Sequence, residues 1–190
     1  QAQLCHRVGP NAILQTIEAI DGLHGACMRA DILRAAGLPP HGADAEGLVD
    51  AALVRRLNRA VGERFSPDAA HALMRRAGEL TGDYILANRI PGPAMKALKR
   101  LPAPVSVNLL LKAIGRHSWT FAGSATVTIR HGWRRASVEI ARNPIAYGPC
   151  VWHEAVFARL LSPLAGNRLQ VRETQCCGSG SSACRFEILF

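Results

Sequence analysis

Apolar residues recur at every third or fourth position through most of the first 116 residues, which is the spacing of helices with one buried face. Pro10 suits a first helical turn, and the pattern predicts a helix over about 10–21 that Gly22 ends. Further helices are predicted over about 26–36, from Asp44 as N-cap to Val61, and over 66–88, 93–100 and 104–115. This half of the chain is therefore expected to be almost entirely helical.

The hydrophobic period changes at Ser118. Residues 119–129 and 133–140 are rich in β-forming side chains, and His131 and Gly132 between them predict a hairpin. The later segments are predicted as a helix over about 151–161 and strands over 168–175 and 185–190. Helices followed by a four-stranded, mainly antiparallel sheet, with one intervening helix, define the class α+β.

The length of 190 residues suits one domain, because a chain of that size buries roughly 70% of the surface that its unfolded form exposes. We divide this domain into an N-terminal extension over 1–9, a helical part over 10–116 and a sheet part over 117–190. No apolar run reaches the roughly 18 residues that span a bilayer, and the first residues lack a secretory pattern. A cytoplasmic location is therefore predicted.

The net charge of +9 indicates an acidic partner, and 20 of the 23 basic residues are arginine. Nucleic acid, an anionic lipid surface, an acidic protein and a carboxylate-bearing ligand all fit that charge. The basic residues occur in scattered pairs without a nucleic-acid-binding signature, so nucleic acid is not expected as a partner.

Six cysteines without a secretory signal favour free thiols or a metal site over disulfides. Cys5 and Cys27 are isolated, whereas the other four crowd into the last quarter of the chain. Cys150, Glu173, Cys176 and Cys184 offer the four ligands that a closed, tetrahedral zinc site requires, and the Gly/Ser loop over 178–182 can fold back on one ion. A buried pair of free thiols or a disulfide are the alternatives.

The order of these residues resembles the C-terminal signature of the 4-vinyl reductase domain family. In that family the motif holds a structural zinc through three cysteines and one glutamate, so the resemblance implies zinc on Cys150, Glu173, Cys176 and Cys184. Cys177 is an additional thiol beside the motif, and whether it shares in the metal site stays open.

The resemblance extends upstream, where residues 81–91 and 116–123 are similar to the bacteriochlorophyll-biosynthesis branch of the family, and it covers the chain from about residue 10. The fold that it implies is a ligand-binding domain of the type found in nitric-oxide signalling and Golgi transport. Relatives bind apolar molecules in an interior pocket and often dimerise through N-terminal helices. The apolar stripe of the first helix therefore predicts a homodimer; it comprises Ile13, Leu14, Ile17, Ile20 and Leu23.

The family name implies reduction of a vinyl group, which requires a bound hydride or electron donor. The sequence has no dinucleotide-binding glycine motif, no P-loop and no iron–sulfur spacing, and a closed zinc shell has no free position, so no catalytic residue is assigned. We therefore expect a carrier or accessory protein of bacteriochlorophyll biosynthesis. The alternatives are an 8-vinyl (4-vinyl) reductase of divinyl protochlorophyllide and a small-molecule sensor module.

The expected ligand is a magnesium porphyrin or chlorophyllide intermediate, exchanged with a magnesium chelatase or methyltransferase of the same pathway, at the photosynthetic membrane surface. Such a ligand requires apolar walls, cations for its propionates and an axial ligand. The predicted ligand-binding residues are Tyr84, Arg89, Lys112, Arg116, His117, Trp119 and Phe121. His117 is the axial candidate, although an exposed or hydrogen-bonded histidine is its ordinary role, and aromatic residues usually fill cores.

Overall fold

Residues 6–44 and 47–190 are described by the structure, a computed structural model, and they follow the predicted order of helices and then sheet. Cys5 lies outside the described residues. The helices are α1 (Asn11–Ala36), α2 (Ala51–Arg64), α3 (Pro67–Asn88), α4 (Gly92–Leu98), α5 (Ala103–Arg116), α6 (Trp119–Ala122) and α7 (Val151–Ala165). The strands are β1 (Arg7–Val8), β2 (Val49–Asp50), β3 (Val127–Arg130), β4 (Arg135–Ala141), β5 (Gln170–Gln175) and β6 (Ala183–Leu189).

The main sheet has the order β3-β4-β6-β5, and each neighbouring pair is antiparallel. One helix, α7, lies between β4 and β5 in the chain, as predicted. The class α+β is therefore confirmed. The short β1 and β2 form a separate antiparallel pair that the sequence pattern did not predict.

The first helix extends beyond its predicted end. Gly22 remains inside α1, and the break comes at Gly25, whose φ of 80° and ψ of 172° lie outside the helical region. A positive φ is a conformation that glycine adopts without steric penalty, which explains why the chain bends there. The predicted boundary at Gly22 was wrong by three residues, while Gly37 ends the helix as predicted.

Asp50, and not Asp44, caps α2. The Asp50 carboxylate accepts a hydrogen bond of 2.9 Å from the amide of Ala52. The residues before it pair with β1, so the chain is extended up to the cap and the helix begins later than predicted.

The strand predicted over 119–129 was wrong in its first half. Trp119–Ala122 is a helical turn in which the Ala122 amide donates to the Ser118 carbonyl at 2.8 Å. The Gly9 amide also donates to the Thr120 carbonyl at 2.7 Å and ties this turn to the N-terminal segment. Local and tertiary hydrogen bonds thus override the β-propensity of the aromatic residues.

Helix α7 separates two apolar cores. Trp152 and Val156 pack with α1, α2 and α3, whereas Phe157 packs against the inner face of the sheet. The first core buries Ile13 and Ile20 completely, so much of the α1 stripe packs inside this chain and the homodimer stays a prediction. None of the helices among the described residues is long and apolar enough to cross a bilayer.

Candidate metal centre and ligand-binding residues

The four predicted metal ligands come together at the end of the sheet where a turn connects β5 to β6. Cys150 is the residue that precedes α7, Glu173 lies on β5, Cys176 follows β5, and Cys184 lies on β6. One ligand atom from each of them lies within 4.8 Å of all the others. All three sulfurs belong to buried residues, and Cys184 is completely buried.

A tight turn between β5 and β6 positions Cys176 against Cys184. The amide of Ser181 donates to the Cys176 carbonyl at 3.0 Å, which folds the chain back directly after the cysteine. A Cβ atom at Gly178 would collide with the backbone of Gly148, so glycine at 178 permits the close approach of the turn to the segment before Cys150. The turn after Cys176 therefore lies against the segment before Cys150, which brings these two cysteines together.

The sulfur of Cys150 lies 3.6 Å from that of Cys176 and 3.5 Å from that of Cys184. Four ligands about 2.3 Å from one zinc ion in a tetrahedron lie about 3.8 Å from one another, so these separations are close to those of a filled shell. Glu173 accepts a hydrogen bond from the Cys150 amide through Oε2 at 2.7 Å, while its Oε1 is buried without a described partner. That oxygen is free to bind a metal ion.

Four acidic groups share this buried space, and their pKa values move in opposite directions. Hydrogen bonds to the sulfurs of Cys176 and Cys184, together with burial, raise the pKa of the Cys150 thiol. The same hydrogen bonds from Cys150 lower the pKa of Cys176 and of Cys184. Burial raises the pKa of Glu173 to about 8, against the opposing hydrogen bond from the Cys150 amide. A bound divalent cation would favour the deprotonated forms of all four groups.

Asn143 is a neighbour of the cluster that the sequence pattern did not indicate. It is 6% exposed, and its side-chain nitrogen lies 3.5 Å from the Cys184 sulfur and 3.8 Å from the Cys150 sulfur. Its side-chain oxygen accepts from the Ile145 amide, which fixes the orientation of the amide group. The Cys177 amide also donates to the Cys184 sulfur at 3.2 Å. The Cys177 sulfur is not among the four clustered ligand atoms.

The predicted ligand-binding residues lie mostly at the surface. Arg89, Lys112, Arg116 and His117 are exposed, and Trp119 is 48% exposed. Tyr84 is half-buried, with the Arg89 guanidinium 5.9 Å from the centre of its ring. Phe121 is half-buried and packs between the two cores. Lys112 borders a shallow depression beside Trp133.

A cavity of about 390 Å³ lies elsewhere, where α2, the start of α3 and the segment before α7 meet. Its walls are mainly apolar, and Asn58 and Trp152 also line it. The Asn58 Oδ1 and the Trp152 Nε1 are both buried without a described hydrogen-bond partner. Cys150 lies in the same wall, so the cavity and the metal cluster are next to each other. The size falls within the usual range of small-molecule sites.

His153 is a buried histidine that no sequence pattern indicated. Its ring is 6.1 Å from that of Phe121 and 5.7 Å from that of Phe186, measured between ring centres. Burial lowers its pKa to about 4, although a hydrogen bond with the Phe121 backbone opposes that shift. The imidazole is therefore neutral at physiological pH, and its Nε2 has no described hydrogen-bond partner.

Residues 136–190 match the 4-vinyl reductase domain, and all four residues of the cluster lie within that match. Two proteins named bacteriochlorophyll synthase 23 kDa chain are similar along nearly the whole chain. The Cereibacter sphaeroides protein is 45% identical over 192 residues, which cover 98% of this chain and 92% of the relative. The Rhodobacter capsulatus protein is 38% identical over 185 residues, which cover 95% and 85%. The chain therefore belongs to the 4-vinyl reductase domain family, together with these bacteriochlorophyll synthase chains.

Solved H-NOX structures have the same fold. One of them, from work on heme distortion in the H-NOX family, has a TM-score of 0.62 and covers 96% of this chain and 95% of its own. Its sequence is 14% identical, so the likeness concerns the fold alone. It agrees with the predicted ligand-binding fold.

Proposed function

We propose that this protein is an accessory protein of bacteriochlorophyll biosynthesis that binds a magnesium tetrapyrrole without reducing it. The observation that carries the proposal is the 45% identity, over 98% of the chain, to a bacteriochlorophyll synthase 23 kDa chain. The fold supports a tetrapyrrole as the ligand, because the H-NOX proteins that share it are studied for their heme. A carrier needs no redox cofactor, and the sequence contains no known motif for one.

We propose zinc as the metal of the Cys/Glu cluster. Three thiolates and one carboxylate form a donor set that suits zinc, and four protein ligands close the shell, which is characteristic of a structural site. The unpartnered Oε1 of Glu173 and the sulfur separations of 3.5 and 3.6 Å support the fit. The bound metal would supply no chemistry to a substrate. It would instead join the start of α7 to β5 and β6.

For the tetrapyrrole, we propose the junction of the helical part with the sheet as the binding region. Arg89, Lys112 and Arg116 are exposed and form no ion pair with a described carboxylate, so they are available to propionate groups. Trp119 and Phe121 supply aromatic surface close to them in the chain. Each partly buried contact between a cation and a propionate contributes about 1.5–3 kcal/mol, which is roughly tenfold or more in affinity.

His153 is a better axial candidate than His117, and it also lines the 390 Å³ cavity. Its imidazole is neutral and only 3% exposed, and its Nε2 has no described hydrogen-bond partner, whereas His117 is exposed at the end of α5. A neutral imidazole nitrogen is the form that coordinates a metal ion. The Phe121 ring lies edge-on to the His153 ring, with 6.1 Å between the ring centres.

An absorption titration with magnesium protoporphyrin tests the proposal. Binding at micromolar concentration should shift the main absorption band of the porphyrin, and Arg116→Ala should weaken it by roughly tenfold. His153→Gln should remove the spectral change of axial ligation, while His117→Gln should retain it. Ala70→Trp, which places a large side chain in the wall of the 390 Å³ cavity, tests the competing location. Absence of binding would contradict the proposed function. Loss of binding in Ala70→Trp together with unchanged binding in Arg116→Ala would contradict the proposed region.

The reductase alternative is separated from the carrier by a direct assay. Purified protein, a divinyl protochlorophyllide substrate and either a nicotinamide or a ferredoxin donor should give no reduced product. If the monovinyl product forms at a rate that depends on the protein concentration, the protein is a reductase and the carrier proposal is wrong.

A further inference from the structure

The net charge of the chain is concentrated in one continuous segment. Between Asp83 and Glu139 there are nine of the 23 basic residues and none of the 14 acidic residues. The remainder of the chain has 14 basic and 14 acidic residues and is therefore balanced. The segment runs from the end of α3 through α4, α5, α6 and β3 into β4. It accounts for the whole net charge of +9.

These nine cations are all exposed, and none of them forms an ion pair with a described carboxylate. Seven arginines elsewhere in the described chain, by contrast, lie within 4.0 Å of an aspartate or glutamate. The positive charge of the segment is therefore uncompensated within the described chain. Such a surface attracts anionic partners over distances of about 10 Å at moderate ionic strength.

The same segment also exposes large apolar side chains. Five of the eight exposed large hydrophobic residues in the described chain belong to it. Three of them recur at four-residue spacing on the exposed side of α5. Leu101 lies just before the helix, and Val105 and Leu109 lie within it. Trp133, at the tip of the β3–β4 hairpin, is 69% exposed and borders the same depression as Leu109.

Asn108 fixes the hairpin tip on α5. Its side-chain nitrogen donates to the Gly132 carbonyl at 2.7 Å, and its oxygen lies 3.0 Å from the His131 Nδ1. Trp133 is therefore held next to the apolar side of α5, and Lys112 borders the same depression. We call the exposed part of this segment, with its nine cations and with Leu101, Val105, Leu109 and Trp133, the basic face.

We propose that the basic face docks on a lipid bilayer that contains anionic headgroups. Cations bind the headgroups, while exposed tryptophan and leucine side chains enter the boundary between headgroups and acyl chains. Nucleic acid would use the cations but would leave Leu101, Val105 and Leu109 without a partner. An acidic protein would also bind the cations, and a protein that stays unbound to anionic vesicles in the test below would favour that occupant over the bilayer.

Vesicle flotation tests this docking without a tetrapyrrole, so its failure would leave the proposed function untouched. The protein should float with vesicles of phosphatidylcholine and phosphatidylglycerol, should stay unbound with phosphatidylcholine alone, and should be released by added salt. Each basic residue near an anionic surface is worth about fivefold in partitioning, so Arg134→Gln/Arg135→Gln should weaken binding by roughly 25-fold. Neither residue belongs to the proposed tetrapyrrole site.

Two matched controls test whether the losses are specific to the basic face or follow from removing any exposed charge or any exposed apolar side chain. Arg55→Gln/Arg64→Gln removes the same charge from α2, where both residues are exposed, and should weaken binding by at most about twofold. Trp133→Ser should reduce binding by roughly tenfold or more, whereas Leu23→Ser, at 52% exposure on α1, should have little effect. The proposal would be overturned if each control variant lost as much vesicle binding as the basic-face variant with which it is paired. A dimer in light scattering that Trp133→Ser dissociates would also overturn it, because a second copy would then cover this face.

Discussion

The candidate metal centre and the basic face differ in how their charged and acidic groups are compensated. At the metal centre, three thiols and a carboxyl lie within 4.8 Å of one another, and most of this space is closed to water. On the basic face, nine cations are spread over an exposed surface without described carboxylate partners. Buried charges require compensation inside the protein, whereas exposed charges are compensated by water and salt.

This difference implies different consequences of mutation. If the proposed zinc is bound, removal of one ligand would leave the remaining buried acidic groups without their cation, so the expected effect is a loss of stability. A cation removed from the basic face leaves the fold unchanged, so the damage appears only when a partner is present. The predictions below test this division, from the largest expected effect on stability to the smallest.

Cys184→Ser should have the largest effect on stability. Cys184 is completely buried and contacts both Cys150 and Asn143 through its sulfur. Loss of the metal should lower the free energy of unfolding by about 3–5 kcal/mol, and the melting temperature by on the order of 10 °C. Cys27→Ser is the matched control, because Cys27 is exposed and should change stability by at most about 0.5 kcal/mol. Equal melting temperatures for the two variants would contradict a metal centre at Cys184.

His153 should make the stability of the protein depend on pH. Burial lowers its pKa in the folded chain to about 4, while the unfolded chain retains about 6.5. Between these two values the unfolded chain binds a proton that the folded chain does not, so stability falls as pH falls from about 6.5 to 4. The loss should reach about 3 kcal/mol. His153→Phe lacks this titrating group, so between pH 6.5 and 4 the variant should lose about 3 kcal/mol less stability than the wild type. Urea unfolding of both proteins at several pH values measures the difference.

Asn143→Ala should have an intermediate effect on the metal centre. The side-chain nitrogen faces two ligand sulfurs, and removal of that donor should cost about 1–3 kcal/mol of stability. Zinc affinity should fall by roughly 10- to 100-fold, as expected for residues that orient metal ligands. Competition with a colorimetric chelator measures this change. An unaltered zinc affinity would show that the amide only fills space.

Arg134→Gln/Arg135→Gln should have the smallest effect on stability. Both residues are exposed and form no ion pair with a described carboxylate, so the free energy of unfolding should change by at most about 0.5 kcal/mol. Thermal unfolding of the variant beside the wild type measures this. A loss of several kcal/mol would show that the basic face also supports the fold.

The metal cluster could be predicted from the sequence because its information is local. Three of the four ligands lie within twelve residues, and the β5–β6 turn needs a flexible Gly/Ser sequence that is visible in the chain. The residues that support the cluster were not visible. Asn143 has no pattern of its own, and it reaches Cys184 across 41 positions of sequence, which only the sheet brings together.

The exact helix boundaries and the position of the cavity could not be predicted from the sequence. Gly22 and Gly25 are both candidates to end a helix, and the sequence alone does not indicate which one adopts a positive φ. The 390 Å³ cavity was not predicted, because it is formed by α2, α3 and the segment before α7, which lie far apart in the chain. Cavities depend on how distant elements pack, and periodicity does not encode that packing.

The claim that the Cys/Glu cluster is a structural zinc site can be tested by native mass spectrometry of the purified wild-type protein and of Cys184→Ser. We expect about one zinc ion per wild-type chain and its loss in the variant, with no disulfide mass in either. A metal-free wild-type chain that unfolds at the same temperature with and without added zinc would contradict the claim. So would a disulfide between Cys150 and Cys184.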